Sequence, residues 1–536
     1  MVYEPQPTKG SRAKVDYHIR QLRKLFSRAS DEQFLQLMWA IDALRSGKAQ
    51  HAANYLAFPP GAIDQSMGSQ FLIHEWETET LIIQLLLAIR EEIKEGGISF
   101  DCSRFADVAK LVNRLRKLED VESAVYLQDG ELNVFAEIYR IAQRQFHWQR
   151  GYFNVSQFYR YAYLYAQGKC GEYFQRKFGI PVAEFNFVGF ALFTQSQRTP
   201  WVKRNIALPE VGLTEEIVKQ ALPLLLISVN KAREETRQLV CEVSKKHGAP
   251  IPTAYLPSIL RRFPFLSLKE DSDRFIAPIP ECILIRVTSG LYHDLISDGP
   301  TLLADANDRF EQYVANYVSA LMGRFKVRRA YLSKSKKGIS IATPDILVDD
   351  ADRLSLVIEC KATKLNYLAQ FAENPLEAGN RQYLQIVNGV LQLWRFFSHV
   401  RRGLLVENID TDTAAMVVTL DSFLIANQAL RAKLIDKANA LADMEEGIIA
   451  HDRRAIIFCP VAELEIVLSH TDEDRFLASL KAACDQKYAG WDFATINRQE
   501  SEGKSKIEKK FPFNLYDLLP WWKRISELKA KNGAAI

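Results

Sequence analysis

Long hydrophobic runs are missing from this chain. Its most apolar stretches, residues 81–89 ("LIIQLLLAI") and 221–229 ("ALPLLLISV"), reach about half of the ~20 residues that a bilayer-spanning helix needs. Both are expected to be buried helix faces, and no membrane contact is expected. Cysteine is sparse: seven residues among 536, odd in number and never spaced as CxxC. That speaks against a disulfide framework and a zinc site and fits a reducing cytosol, so a cytoplasmic location is expected. The first residues, "MVYEPQPTKGSRAK", have no apolar core behind their basic groups and do not read as a secretory signal. No GxGxxG or GxSxG occurs, and "GKS" at 503–505 has Arg498 where a P-loop needs its upstream glycine. Dinucleotide, serine-hydrolase and nucleotide-hydrolysing chemistry therefore have no support. No fixed-period repeat and no heptad run stands out.

Excess charge of one sign is also absent, the net charge being +4, but its distribution is uneven. Residues 324–337, "RFKVRRAYLSKSKK", carry Arg324, Lys326, Arg328, Arg329, Lys334, Lys336 and Lys337 with no acid among them. Such a patch can follow a phosphate backbone on a nearly neutral protein; a solvated surface hairpin is the alternative. A second basic run, "KSKIEKK", lies at 504–510.

At 536 residues the chain exceeds what one core usually organises, so several domains are expected. Apolar residues recur at helical steps from about 14 to 247, including a segment at 214–248 headed by Thr214 and closed by Gly248. Residues 251–299 are proline-rich and read as a connector with short helical pieces, followed by a strand-like "CILIRVTSG". From 300 to 470 the order becomes a helix ("DANDRFEQYVANYVSALMGRF"), strands "KVRRAYLS", "TPDILVDD" and "LSLVIECKA", a long helix, and strands "AAMVVTLDS" and "RAIIFCPV". This is an α/β order, a sheet flanked by helices. The expectation is a helical recognition or regulatory region at 1–250, the connector at 251–299, an α/β domain at 300–470 and a helical tail at 471–536.

The stretch 343–361, "TPDILVDDADRLSLVIECK", places acids and a lysine at the ends of two strands that otherwise belong in a core. Strand side chains alternate between faces, so Glu359 and Lys361 point one way and Cys360 the other. If the strands are neighbours, Asp345 comes beside Glu359. Two carboxylates at close range raise one another's pKa unless a cation sits between them. Hard oxygen ligands select Mg2+ or Mn2+, and Mg2+ commonly takes one or two carboxylates with water and substrate phosphate. A lysine beside that pair can orient a water and supplies positive charge where a phosphoryl transition state gathers negative charge. The main-chain carbonyl of Cys360 is a further candidate metal ligand.

"PD" at 344–345 and "ECK" at 359–361 resemble the PD-(D/E)xK motif of the restriction-endonuclease-like nuclease superfamily. Glu311, in "RFEQYV", is similar to the helical glutamate that completes the metal site in many members. Gln382, Gln385 and Gln392, beside Tyr383 and Trp394, loosely resemble the glutamine-bearing helix of RecB-like members. The resemblance covers about 300–470 and implies a restriction-endonuclease-like domain with a central mixed sheet. It implies hydrolysis of phosphodiester bonds with Mg2+ (or Mn2+), Asp345 and Glu359 binding the metal, Lys361 as catalytic lysine and Glu311 as accessory ligand. The substrate it implies is nucleic acid, DNA before RNA, in a prokaryotic antiphage defence or restriction setting. An unrestrained nuclease would harm its host, so a protein partner or activating trigger is expected, and a homo-oligomer is compatible with it. Other readings remain open: a non-catalytic nucleic-acid-binding or scaffold subunit, or Asp345, Glu359 and Lys361 as ordinary strand-end and same-face residues. Residues 140–169 interleave Arg140, Arg144, Arg150 and Arg160 with aromatics and read first as a helical core with cationic rims. His74, Glu75, Glu77 and Glu79 read first as a capped helix start.

Overall fold

The computed structural model describes residues 9–89, 100–127, 134–149, 155–248, 250–296, 299–334, 340–371, 375–422 and 428–531. The N-terminal region is helical, with Asp31–Arg45, Glu75–Leu87, Phe105–Leu127, Val155–Tyr165 and Val182–Ser196 among its elements. The start of Glu75–Leu87 is capped as expected: Glu77 reaches back to accept the His74 N–H at 2.9 Å. The segment 214–248 has the expected ends. Thr214 accepts from the Ile217 N–H at 3.3 Å, and Gly248 closes the last helix at φ +78°, a left-handed conformation that suits glycine. Its middle departs from the expected helix, breaking after Glu215–Ala221 into the strand β2 before Val229–His247 begins. Pro223, which cannot donate to a helical ladder, sits at the break.

Four three-residue strands make a small sheet: β1 (Trp201–Lys203), β2 (Leu226–Ser228), β3 (Phe265–Ser267) and β4 (Arg274–Ile276), in the order β1-β4-β3-β2. The proline-rich stretch thus supplies two paired strands whose Phe265, Leu266, Phe275 and Ile276 are fully buried. The strand expected at "CILIRV" is instead the helix Glu281–Val287. Every residue from Cys282 to Val287 is buried, so the run shows no amphipathic period, and helix and strand look alike in it.

The larger sheet holds the candidate site. Its strands are β5 (Phe325–Arg329), β8 (Ile346–Asp350), β9 (Arg353–Lys361), β10 (Ala414–Thr419) and β11 (Ile456–Pro460). Between β5 and β8, β6 (Leu332–Lys334) and β7 (Ser340–Ala342) form a separate ribbon, so the single strand expected at 326–333 is two. The spatial order is β11-β10-β9-β8-β5. β5, β8 and β9 are antiparallel while β9, β10 and β11 are parallel, a mixed sheet. The expected turn between β8 and β9 carries Ala351 at φ +54°.

Helices cover both faces. On one, Ile346, Val348, Leu356, Ile358, Met416 and Val418 pack with Phe310 and Val314 of the Pro300–Leu321 helix. On the other, Leu347, Leu354, Val357, Val417 and Phe458 pack under the helices Asn380–Arg401 and Gln428–Ala442. The register steps from Val348↔Leu356 to Asp349↔Leu354, leaving Ser355 as the extra residue of a bulge. That insertion puts Leu354 and Val357 on the same face although they are an odd number of residues apart. Among the described residues, no helix is long and apolar enough to cross a membrane.

Candidate active site

β8 and β9 bring the acids of the two short motifs together. Ile346 pairs with Ile358, so Asp345, one step beyond, comes opposite Glu359. Asp345 Oδ2 accepts the Cys360 N–H at 2.7 Å, which fixes the carboxylate at the strand end. Alternation from Val357 turns Glu359 and Lys361 toward the Asn380–Arg401 helix. Cys360 faces the opposite core, so only its main chain can serve the site. Lys361 Nζ donates to Glu359 Oε1 at 2.8 Å and to Gln392 Oε1 at 3.1 Å. Gly389 lets that helix come down on the pair: a Cβ there would lie 2.9 Å from Lys361 Cε and 3.4 Å from Glu359 Cγ.

The electrostatics follow from burial. Glu359 is 1% exposed; desolvation first, then the facing Asp345 carboxylate, push it up to about 7 against the pull of Lys361. Asp345 is raised as well, by burial, with the Cys360 N–H and Lys361 working the other way. Burial works to lower Lys361, but Glu359 and Asp345 carry it above its ordinary value. It therefore stays an ammonium at neutral pH and serves as a charge rather than a base. Glu311, on the Pro300–Leu321 helix, is pushed up to about 7 by burial and by Asp345, so it belongs to the same cluster. Its Oε2 accepts from Arg329 Nη2 at 2.8 Å.

Could these groups hold Mg2+ or Mn2+? Glu359 Oε2 is buried with no donor to satisfy it, and the Asp345 carboxylate beside it offers only further acceptors. Two hard-oxygen ligands facing one another with one lysine between too few charges suit a small divalent cation. The fit is that of a two-carboxylate seat. Among the described residues, no group of three or more His, Cys, Asp or Glu side chains is placed to hold a metal, and Glu311 is engaged by Arg329.

The basic segment is placed differently from a free phosphate-binding patch. Arg324 pairs with Asp350 at 3.0 Å and Asp474 at 2.6 Å. Arg328 forks onto Asp349 at 2.7 Å and Glu407 at 2.8 Å. Arg329 holds Asp308 at 2.9 Å besides Glu311. Lys326 is exposed on β5, and the side chain of Lys334, with Lys336 and Lys337, lies outside the described residues. Each arginine thus answers a carboxylate remote in sequence, which a count of local charge does not register. The segment 140–169 follows the core reading where it is described. Tyr159, Tyr161 and Tyr165 are buried, Arg140 pairs with Glu137, Arg144 with Glu119 and Arg160 with Glu465; Arg150 lies outside the described residues.

Of the three glutamines, Gln392 reaches the site, Gln382 contacts Asn366 at 3.4 Å, and Tyr383 and Trp394 are core residues. Sequence reasoning passed over Lys364. Just beyond β9, its buried Nζ donates to Ser289 O at 3.2 Å and lies 3.5 Å from Asp421, over the rings of Tyr161 and Tyr292. The repeated lysine of "KATK" was the available signal. All seven cysteines are free thiols. No family model, curated protein or solved structure matches the chain.

Proposed function

We propose that this protein is a Mg2+-dependent nuclease whose α/β part is restriction-endonuclease-like and whose substrate is nucleic acid, DNA before RNA. The observation that carries the reading is the pairing of Asp345 with Glu359 at the ends of β8 and β9, with Lys361 held on Glu359. In a set of side chains chosen only for strand formation, two buried carboxyls would not face one another across a hairpin. When bound between them, Mg2+ polarises a phosphoryl oxygen and makes a water more acidic. Lys361, kept charged by Glu359 and aimed by Gln392, neutralises charge growing on the phosphoryl oxygens. Asp345, fixed by the Cys360 N–H, orients its carboxylate without reorganisation. The free thiols fit a reducing compartment such as the cytoplasm.

Purified protein is incubated with plasmid DNA or with RNA, in Mg2+ or in EDTA. Cleavage is expected in Mg2+ alone, and Lys361→Ala is expected to slow it by about 100-fold or more. Undiminished cutting by Lys361→Ala would remove the assignment. Binding without cutting by the unaltered protein would leave a nucleic-acid-binding subunit instead.

A further inference from the structure

We propose that Arg329 is an internal counter-ion that keeps Glu311 out of the metal site until a nucleic-acid phosphate draws it away. The inference rests on the nuclease reading above and adds a gate to it.

Arg329 ends β5 and pairs in register with Ile346, while the Ala330 N–H donates to Asp345 O at 2.8 Å. Its side chain shares the face of Ile346, toward the Pro300–Leu321 helix. From that place a single nitrogen, Nη2, holds both Glu311 at 2.8 Å and Asp308 at 2.9 Å. The guanidinium is thus a cation set against the acid that faces Asp345. It fills the charge role that would otherwise fall to a divalent ion with a third carboxylate ligand. This accounts for a cluster containing Glu311, Asp345 and Glu359 in which only two carboxylates are left to a metal.

The hold is releasable. Arg329 Nε is buried with no acceptor, so the fork is half used. The side chain is 36% exposed, within reach of a ligand from solvent. A phosphate diester offers two oxygens in the geometry that Nε and Nη2 match together, a better partner than two carboxylates sharing one nitrogen. Moving onto it would satisfy Nε and return Glu311 to Asp345, where a metal is the cation left to balance them. Arg324 and Arg328 are held by two carboxylates each from other elements, but neither of them holds an acid of the site.

The test is Mn2+ affinity, read from the electron paramagnetic resonance signal of the free ion, with circular dichroism melts showing that each variant is folded. Without nucleic acid, Arg329→Gln is expected to bind Mn2+ about tenfold more tightly than the unaltered protein, a coupling of ordinary size. Adding Glu311→Gln should abolish that gain, and Arg329→Lys, which keeps the charge, should leave affinity unchanged. In a Lys361→Ala background, where a short DNA duplex is not cut, the duplex should raise Mn2+ affinity by a similar factor, and should not do so once Arg329→Gln is present. If Arg329→Gln binds Mn2+ no more tightly, or the duplex changes nothing, the gate is wrong; a loss of Mn2+ binding in Asp345→Asn would then leave the nuclease reading standing. If no variant binds Mn2+ in a way that Asp345→Asn removes, the metal site and the gate fall together.

Discussion

Burial is what makes individual carboxyls in this protein depart from their usual behaviour, and the effect reaches beyond the candidate site. Glu122 accepts the Thr253 N–H at 2.8 Å and the Thr253 hydroxyl at 3.0 Å, yet desolvation still pushes it from 4.5 up to about 7. Between those values the native protein binds a proton that the unfolded chain has released. Stability should therefore fall as pH rises through that window and level off above it. Glu122→Gln can keep both contacts, its amide donating to the Thr253 hydroxyl, and carries no charge. Near pH 8 it should be more stable than the unaltered protein by on the order of 3 kcal/mol, at about 1.4 kcal/mol per pH unit. The advantage should vanish near pH 4. Urea unfolding at the two pH values measures it, and a constant difference would show that the charge of Glu122 is not its source.

The Asn380–Arg401 helix shows how one element sets the geometry of the site. Gly389 gives up helix propensity so that the helix can rest on Lys361 and Glu359. Gly389→Ala should therefore leave the melting temperature equal or higher, while cleavage falls by about tenfold because the lysine head is displaced. Thermal unfolding beside single-turnover cleavage separates the two effects; loss of both together would mean that the glycine serves packing alone. Which elements could be read from residues follows from the same local physics. β8, β9, β10 and β11 were legible because each is a short apolar run bounded by turn residues or charge. The Asp345, Glu359 and Lys361 cluster was legible because it interrupts two such runs at fixed places. The helix Glu281–Val287 was not, since burial on all sides erased its period. β1 to β4 were not, since three residues are too few to show alternation. The partners of Arg324, Arg328 and Arg329 come from elements distant in sequence, and no local pattern announces them.

At the scale of the molecule, packing does not stop where composition changes. One apolar cluster runs from Phe158, Phe185 and Phe187 through Phe310, Ile346 and Met416 to Leu519 and Trp521. It therefore joins the N-terminal helices, both ends of the stretch 300–470 and the C-terminal tail. A buried ion pair ties the same parts together. Arg160, on Val155–Tyr165, is paired with Glu465 on Val461–Ser469, and Glu465 Oε1 also accepts from the Tyr313 hydroxyl at 2.7 Å. Both charged side chains are nearly inaccessible, at 5% and 3%, and Glu465 is what raises Arg160 above its ordinary range once burial is offset. Removing one partner strands the other in a low-dielectric interior, a loss of about 3–5 kcal/mol. Glu465→Ala should accordingly destabilise the N-terminal helices and the sheet together, though the substitution lies in neither. Hydrogen exchange followed by mass spectrometry reads this directly. Peptides from 155–165, 300–321 and 414–419 should gain exchange in parallel, because their protection depends on one shared opening. If only the 461–469 peptide loosened while the other three kept their rates, the cluster would be several cores in contact rather than one. The N-terminal helices would then be a detachable module, and not part of the frame that holds Asp345 against Glu359.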